Sequence, residues 1–114
     1  MRGYRVWSDY WERYSFDAEL YADGTLYAMF EDDDGVTHHE NTDLVVEFDT
    51  GYKDRNGKEI YKRDIVRVFY GDNYEVKQFC TGAWRIGRDE LYKWANGSEV
   101  IGNIHENTEL LEEE

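Results

Sequence analysis

The stretch Ile65-Val66-Arg67-Val68-Phe69-Tyr70 decides the fold of this chain. Ile65 and Arg67 alternate with Val66 and Val68, the two-residue period of a strand. Its β-branched and aromatic side chains suit a pleated, half-buried surface. Asp54-Arg55-Asn56-Gly57 before it is a turn, with Asn-Gly at the tip where positive φ is tolerated, and Gly71–Asn73 ends the run. Toward the C-terminus, Tyr74–Cys80, Ala83–Ile86 and Leu91–Trp94 are strand candidates, separated by Thr81–Gly82 and Gly87–Glu90. Ala95–Ser98 then turns the chain into Val100–Ile104. Asn107 is placed to cap one helical turn, Thr108–Glu112, with Glu109 favourably near its start. Toward the N-terminus, Leu44-Val45-Val46-Glu47-Phe48 reads as the best buried strand of the first half. Glu31–Gly35 reads as a charged turn. Glu19–Tyr21 and Leu26–Phe30 flank Ala22-Asp23-Gly24-Thr25, a hairpin signal, and Tyr4–Trp7 is a first short strand. Short strands at regular spacing with polar turns predict a mainly β barrel or sandwich.

The length, 114 residues, predicts one domain able to bury a core without disulfides or metals. Its two sections differ in character: an aromatic, acidic β section over 1–48 and a more regular one over 49–114. The single cysteine, Cys80, leaves no internal disulfide and reads as a small, half-buried apolar residue. No apolar run is long enough to span a membrane and no signal-peptide pattern occurs, so the expected location is the cytoplasm.

Charge is segregated. The total of −13 comes from 13 basic and 26 acidic side chains. Residues 1–52 hold 3 basic and 13 acidic, residues 53–88 hold 9 and 5, and residues 89–114 hold 1 and 8, giving −10, +4 and −7. Such a surface repels a duplex phosphate backbone, so direct DNA binding is disfavoured and partners with basic surfaces are favoured.

Two stretches carry a family pattern. Thr50-Gly51-Tyr52-Lys53-Asp54-Arg55-Asn56-Gly57-Lys58-Glu59-Ile60-Tyr61, followed by Asp64-Ile65-Val66, resembles the T-G-x-K-D-x-N-G-x-E-I-Y-x-x-D-I-V segment of the YopX family. Val100-Ile101-Gly102-Asn103-Ile104-His105-Glu106-Asn107-Thr108-Glu109-Leu110-Leu111 resembles that family's V-I-G-N-I-x-E-N-P-E-L-L terminus, and Arg5-Val6-Trp7 sits where it carries R-x-W. There are departures. Lys62-Arg63 stands where the family commonly has Glu-Gly, so if that glycine serves a positive-φ position, Arg63 needs a different local backbone or bears strain. Thr108 replaces a proline, and the region between Asp9 and Thr42 matches nothing in the pattern. The resemblance implies a small SH3-like barrel, begun by the Asp-Ile-Val strand and closed by Val-Ile-Gly-Asn-Ile, with an N-terminal β-hairpin section and a short C-terminal helical turn. It also implies a phage or prophage origin, hence a bacterial host cytoplasm, and a capacity for self-association, but no activity. Gly51, Gly57, Asp64, Ile65, Val66, Ile101, Asn103 and Ile104 read as fold-determining: turn glycines, core residues and polar groups that bond neighbouring backbone.

Catalytic chemistry finds no purchase. Ser8, Ser15 and Ser98 lie in no nucleophile-elbow sequence, Cys80 has no histidine beside it in sequence, and Gly82, Gly87 and Gly97 make no phosphate loop. His38-His39 matches no zinc spacing, would need Glu40 or Asp43 to converge on it, and reads as solvated loop. Glu31-Asp32-Asp33-Asp34-Gly35 lacks the alternating ligands of a calcium loop. No catalytic residue, metal or cofactor is expected.

Two groups of binding candidates stand out. The aromatic cluster Tyr4, Trp7, Tyr10, Trp11, Tyr14 and Phe16 is denser than a short β section needs. Trp7, Tyr10, Trp11 and Tyr14, with Glu31, Asp32, Asp33 and Asp34, would form an aromatic anchor in an acidic rim. The basic middle, Lys53, Arg55, Lys58, Lys62, Arg63 and Arg67, is a candidate for oligomer or anion contacts. The leading expectation is a non-enzymatic accessory protein that occludes a basic host protein, such as a nucleic-acid-processing or defence enzyme. The rivals are an oligomer that sequesters nucleotides, a barrel that binds nucleic acid through the basic middle, and a self-assembling structural domain.

Overall fold

Turns built by aspartate set the strand pairing. In the first hairpin, Asp23 Oδ1 accepts the Thr25 N–H at 2.9 Å and Gly24 N–H donates to Tyr21 O. In the next, Asp32 Oδ1 accepts the amides of Asp34 and Val36, both at 2.9 Å. These side chains mimic a backbone turn and leave positive φ to the following glycines, Gly24 and Gly35. The computed structural model describes residues 3–69 and 71–111. It is mainly β, with a curled half-barrel sheet and a short C-terminal helical turn. Two compact units divide it, Met1–Phe48 and Asp49–Glu114.

In the first unit, β1 (Tyr4–Ser8) pairs antiparallel with β2 (Arg13–Ser15) and with the first half of β6 (Leu44–Lys53). β3 (Ala18–Leu20), β4 (Leu26–Glu31) and β5 (Thr37–Glu40) form a three-stranded sheet in that order. Val6, Ala18, Ala28 and Phe30 are buried together, flanked by Tyr4, Trp11, Leu26 and Leu44.

The expected burial of Leu44–Phe48 is inverted. Glu47 is fully buried while Val46 and Phe48 are 36% and 53% exposed. The cause lies across the strand pair, where Arg5 stands opposite Glu47. Arg5 Nη2 and Nε reach Glu47 Oε1 at 2.9 and 3.0 Å, Tyr14 O–H donates to the same oxygen at 2.8 Å, and the guanidinium lies 4.1 Å from the Tyr14 ring centroid. His38 and His39 are also not loop residues. They sit in β5 opposite Phe30 and Met29, and only His39 is fully turned to solvent.

In the second unit, the latter half of β6 pairs with β7 (Glu59–Tyr61). A five-stranded sheet runs β11-β10-β9-β8-β12, from β8 (Asp64–Arg67), β9 (Asn73–Gln78), β10 (Trp84–Ile86), β11 (Asp89–Glu90) and β12 (Glu99–Asn103). β8 and β12 are antiparallel neighbours with a bulge between Val100 and Gly102, so the Asp-Ile-Val and Val-Ile-Gly-Asn strands open and close this sheet. Ile60, Val66, Val68, Val76, Ile86, Leu91 and Ala95 make the core.

Three expectations change here. Leu91–Trp94 is a helical turn, α1, continued by a 3₁₀ turn at Ala95–Gly97. Its buried residues are Leu91 and Ala95, four apart, which is a helical period and not the alternation of a strand. Cys80 is exposed, on the turn where Phe79 N–H meets Ala83 O and Gly82 N–H meets Phe79 O. β8 stops at Arg67, because Val68 N–H already turns to Asp72 O. Tyr70, the expected end of that strand, and Glu112, the expected end of the last helical turn, lie outside the described residues. The 3₁₀ turn Thr108–Leu111 is present. Asn107 Oδ1 points back to the Asn103 N–H at 3.1 Å instead of forward into the turn.

The suspected strain is real. Arg63 has φ 73, in the left-handed region that glycine occupies freely.

Candidate functional site

The turn between β1 and β2 carries two aromatic residues, Tyr10 at the surface and Trp11 against the core of the first unit. Ser8 fixes it: its hydroxyl accepts the Trp11 N–H at 3.0 Å and its carbonyl the Glu12 N–H at 2.8 Å. Glu12 closes the turn at φ 55. Trp11 is half-buried, stacked on Phe30 at 5.7 Å with 6° between planes, and its indole N–H donates to Glu40 Oε2 at 3.0 Å. The Arg13 guanidinium lies 5.0 Å from its ring centroid, a cation–π contact. Tyr10 meets Trp11 edge-on and is 76% exposed.

Carboxylates ring these aromatics. Tyr10, Trp11, Asp32, His38, Glu40, Thr42 and Asp43 line a pocket of about 290 Å³. His38 Nε2 sits 2.8 Å from Asp32 Oδ2 and the imidazole 5.1 Å from the Trp11 ring. The His38 hydrogen bond, followed by the Val36 N–H, holds the Asp32 carboxyl below its ordinary value of 3.8. Asp43 occupies the left-handed region, φ 57, which aspartate tolerates better than most residues, and its carbonyl accepts the Asp9 N–H. The pocket therefore offers three carboxylates and an exposed phenol ring to whatever enters, a surface that fits a cation on an apolar stem.

The sequence candidates are sorted by position: Trp7 and Tyr14 face each other across the β1–β2 pair, whereas Tyr10 and Trp11 lie in the turn between those strands. Trp7 is 4% exposed and donates to Asp9 Oδ1, so it is core and no docking surface. Tyr14 packs on Trp7 at 5.0 Å and serves the Arg5–Glu47 pair. Tyr10 and Trp11 alone of the four line the pocket, and Asp32 alone of the acidic run; Glu31, Asp33 and Asp34 are exposed beside it. Thr42 was missed by sequence reasoning. Glu40 and Asp43 were noticed only as hypothetical metal partners of His38. Among the described residues, no group of three or more His, Cys, Asp or Glu side chains is placed to hold a metal ion, and no helix is long and apolar enough to cross a membrane.

A family model described as YopX protein matches residues 3–112. The chain belongs to the YopX family. Two solved structures share its fold along nearly their whole length. Protein EF1440 from Enterococcus faecalis is 25% identical, with 96% of this chain and 97% of that one covered and a TM-score of 0.68. Protein yopX from Bacillus subtilis is 27% identical, with 97% and 98% covered and a TM-score of 0.61. No curated protein matches.

The basic candidates of this YopX chain are dispersed. Arg55 Nη2 pairs with Glu99 Oε1 at 2.9 Å, Arg67 Nε donates to Asn73 Oδ1 at 3.1 Å, and Lys53 stands opposite Glu59 at the end of β6. Lys58 is exposed on the Asp54 turn. Lys62 and Arg63 share a depression in the second unit with Lys77.

Proposed function

We propose that this YopX protein is a phage- or prophage-encoded, non-enzymatic accessory protein that binds and modulates a basic host protein. The observation that carries the reading is the pocket in which Asp32, Glu40 and Asp43 surround Tyr10 and Trp11. An arginine or lysine of the partner enters it with its stem on the aromatic edge and its charge among the carboxylates. Exposed Glu31, Asp33 and Asp34 add attraction at the rim. Proteins that process nucleic acid carry such basic surfaces, and covering one would block its substrate by bulk and by charge.

Two isosteric changes isolate the charge. Glu40→Gln keeps an oxygen for the Trp11 indole, and Asp43→Asn keeps a residue that tolerates positive φ. Affinity capture from nuclease-treated host extract should recover one protein that the double variant loses and that elutes at high salt, where screening shortens to a few ångströms. Equal recovery by wild type and the double variant sinks the reading.

A further inference from the structure

A second concavity has the opposite chemistry. Lys62 and Arg63 form the turn between β7 and β8, and with Glu75, Val76, Lys77 and Gln78 of β9 they line a depression of about 360 Å³. Three cations share it with one carboxylate, in a chain whose net charge is −13.

Arg63 is held there against its backbone preference. Its N–H donates to Val76 O and its carbonyl accepts the Ile104 N–H, both at 2.9 Å, which fixes its φ of 73. Glycine would take this backbone without penalty, so the fold gains nothing from a β-carbon here. A strained residue kept for its side chain marks a position used for contact. A guanidinium on so firmly held a backbone is suited to forked hydrogen bonds to a phosphate, and the two lysines that line the same depression add the charge to match a dianion.

Size and lining narrow the class. The volume lies at the small end of small-molecule sites. No aromatic ring is among the described lining residues, so nothing stacks a nucleobase. The net charge of −13 also opposes a long polyanion. We propose that Lys62, Arg63 and Lys77 bind the phosphate dianion of a small phosphomonoester. This site is independent of the acidic aromatic pocket.

Calorimetric titration of the full chain with inorganic phosphate, glycerol phosphate and a short single-stranded oligonucleotide, at matched ionic strength, tests the proposal. Saturable one-to-one binding of phosphate and glycerol phosphate is expected. Arg63→Gly should weaken it by about tenfold or more while melting at a higher temperature than wild type, so loss of binding cannot be loss of fold. Lys77→Ala should weaken it without that gain. Binding that Arg63→Gly leaves intact, absence of saturation by either phosphate, or tighter binding of the oligonucleotide overturns the proposal.

Discussion

Asp54 and Val100, 46 residues apart, are joined by a 2.9 Å hydrogen bond from the Val100 amide to Asp54 Oδ2. The other carboxylate oxygen, Oδ1, accepts the Asn56 and Lys58 amides, both at 2.9 Å. One side chain thus shapes the Asn-Gly turn and staples it to the closing strand, tying the two family stretches into one unit.

That arrangement predicts an acid dependence. Burial pushes the Asp54 carboxyl up, but the Val100, Lys58 and Asn56 amides and the Lys58 charge outweigh it, so the native pKa lies below 3.8. A depressed native pKa contributes stability that is complete above the unfolded value and is lost as pH falls through the native one. Asp54→Asn should be less stable by about 1.5–3 kcal/mol near neutrality, and the gap should close as pH drops below about 4. A constant offset between the two urea midpoints down to pH 2.5 would refute it.

The Arg5–Glu47 pair makes a second expectation. Removing one partner strands a buried charge, so Glu47→Ala should cost about 3–5 kcal/mol, whereas Arg5→Met with Glu47→Leu removes both charges and should restore most of the loss. Equilibrium unfolding of the three proteins decides it. A single variant within about 1 kcal/mol of wild type would show that the pair contributes little.

Gly102 answers to space and not to backbone angle. A β-carbon there would lie 2.5 Å from Asn107 Oδ1 and 2.7 Å from its Cγ. Asn107 cannot easily move aside, because its Oδ1 accepts the Asn103 amide while its own N–H donates to Asn103 O. Gly102→Ala should destabilise by about 1–3 kcal/mol, and adding Asn107→Ala should cost less than the sum of the two singles. Strict additivity in thermal melts would show that the two residues do not share this space.

Local signals in the sequence were faithful where the physics is local. The hairpin around Asp23-Gly24, the Asn56-Gly57 turn and the strands at Ile65-Val66 and Val100–Asn103 follow from turn chemistry, residue type and family pattern. Asp64 and Asn103 bond nearby amides as expected, at Tyr61, His105 and Glu106. What stayed hidden depends on distant partners. Nothing near Glu47 announces Arg5, and Leu-Val-Val-Glu-Phe looks apolar until that partner inverts its faces. The helical turn at Leu91 shows only when Ala95 is read with it. The pocket joins Trp11 to Glu40 across 29 residues, and which of the four aromatic candidates reach it depends on a turn at Ser8 that the aromatic pattern does not encode.

The turns have one more consequence. The chain contains no proline, and Asp23, Asp32 and Asp54 shape three of its turns by accepting amides two residues on. A side-chain hydrogen bond re-forms as fast as the chain closes a short loop, within about 10–100 ns, whereas prolyl bonds isomerise over tens of seconds. Its unfolded population therefore carries no misset prolyl isomers, and no refolding step waits on one.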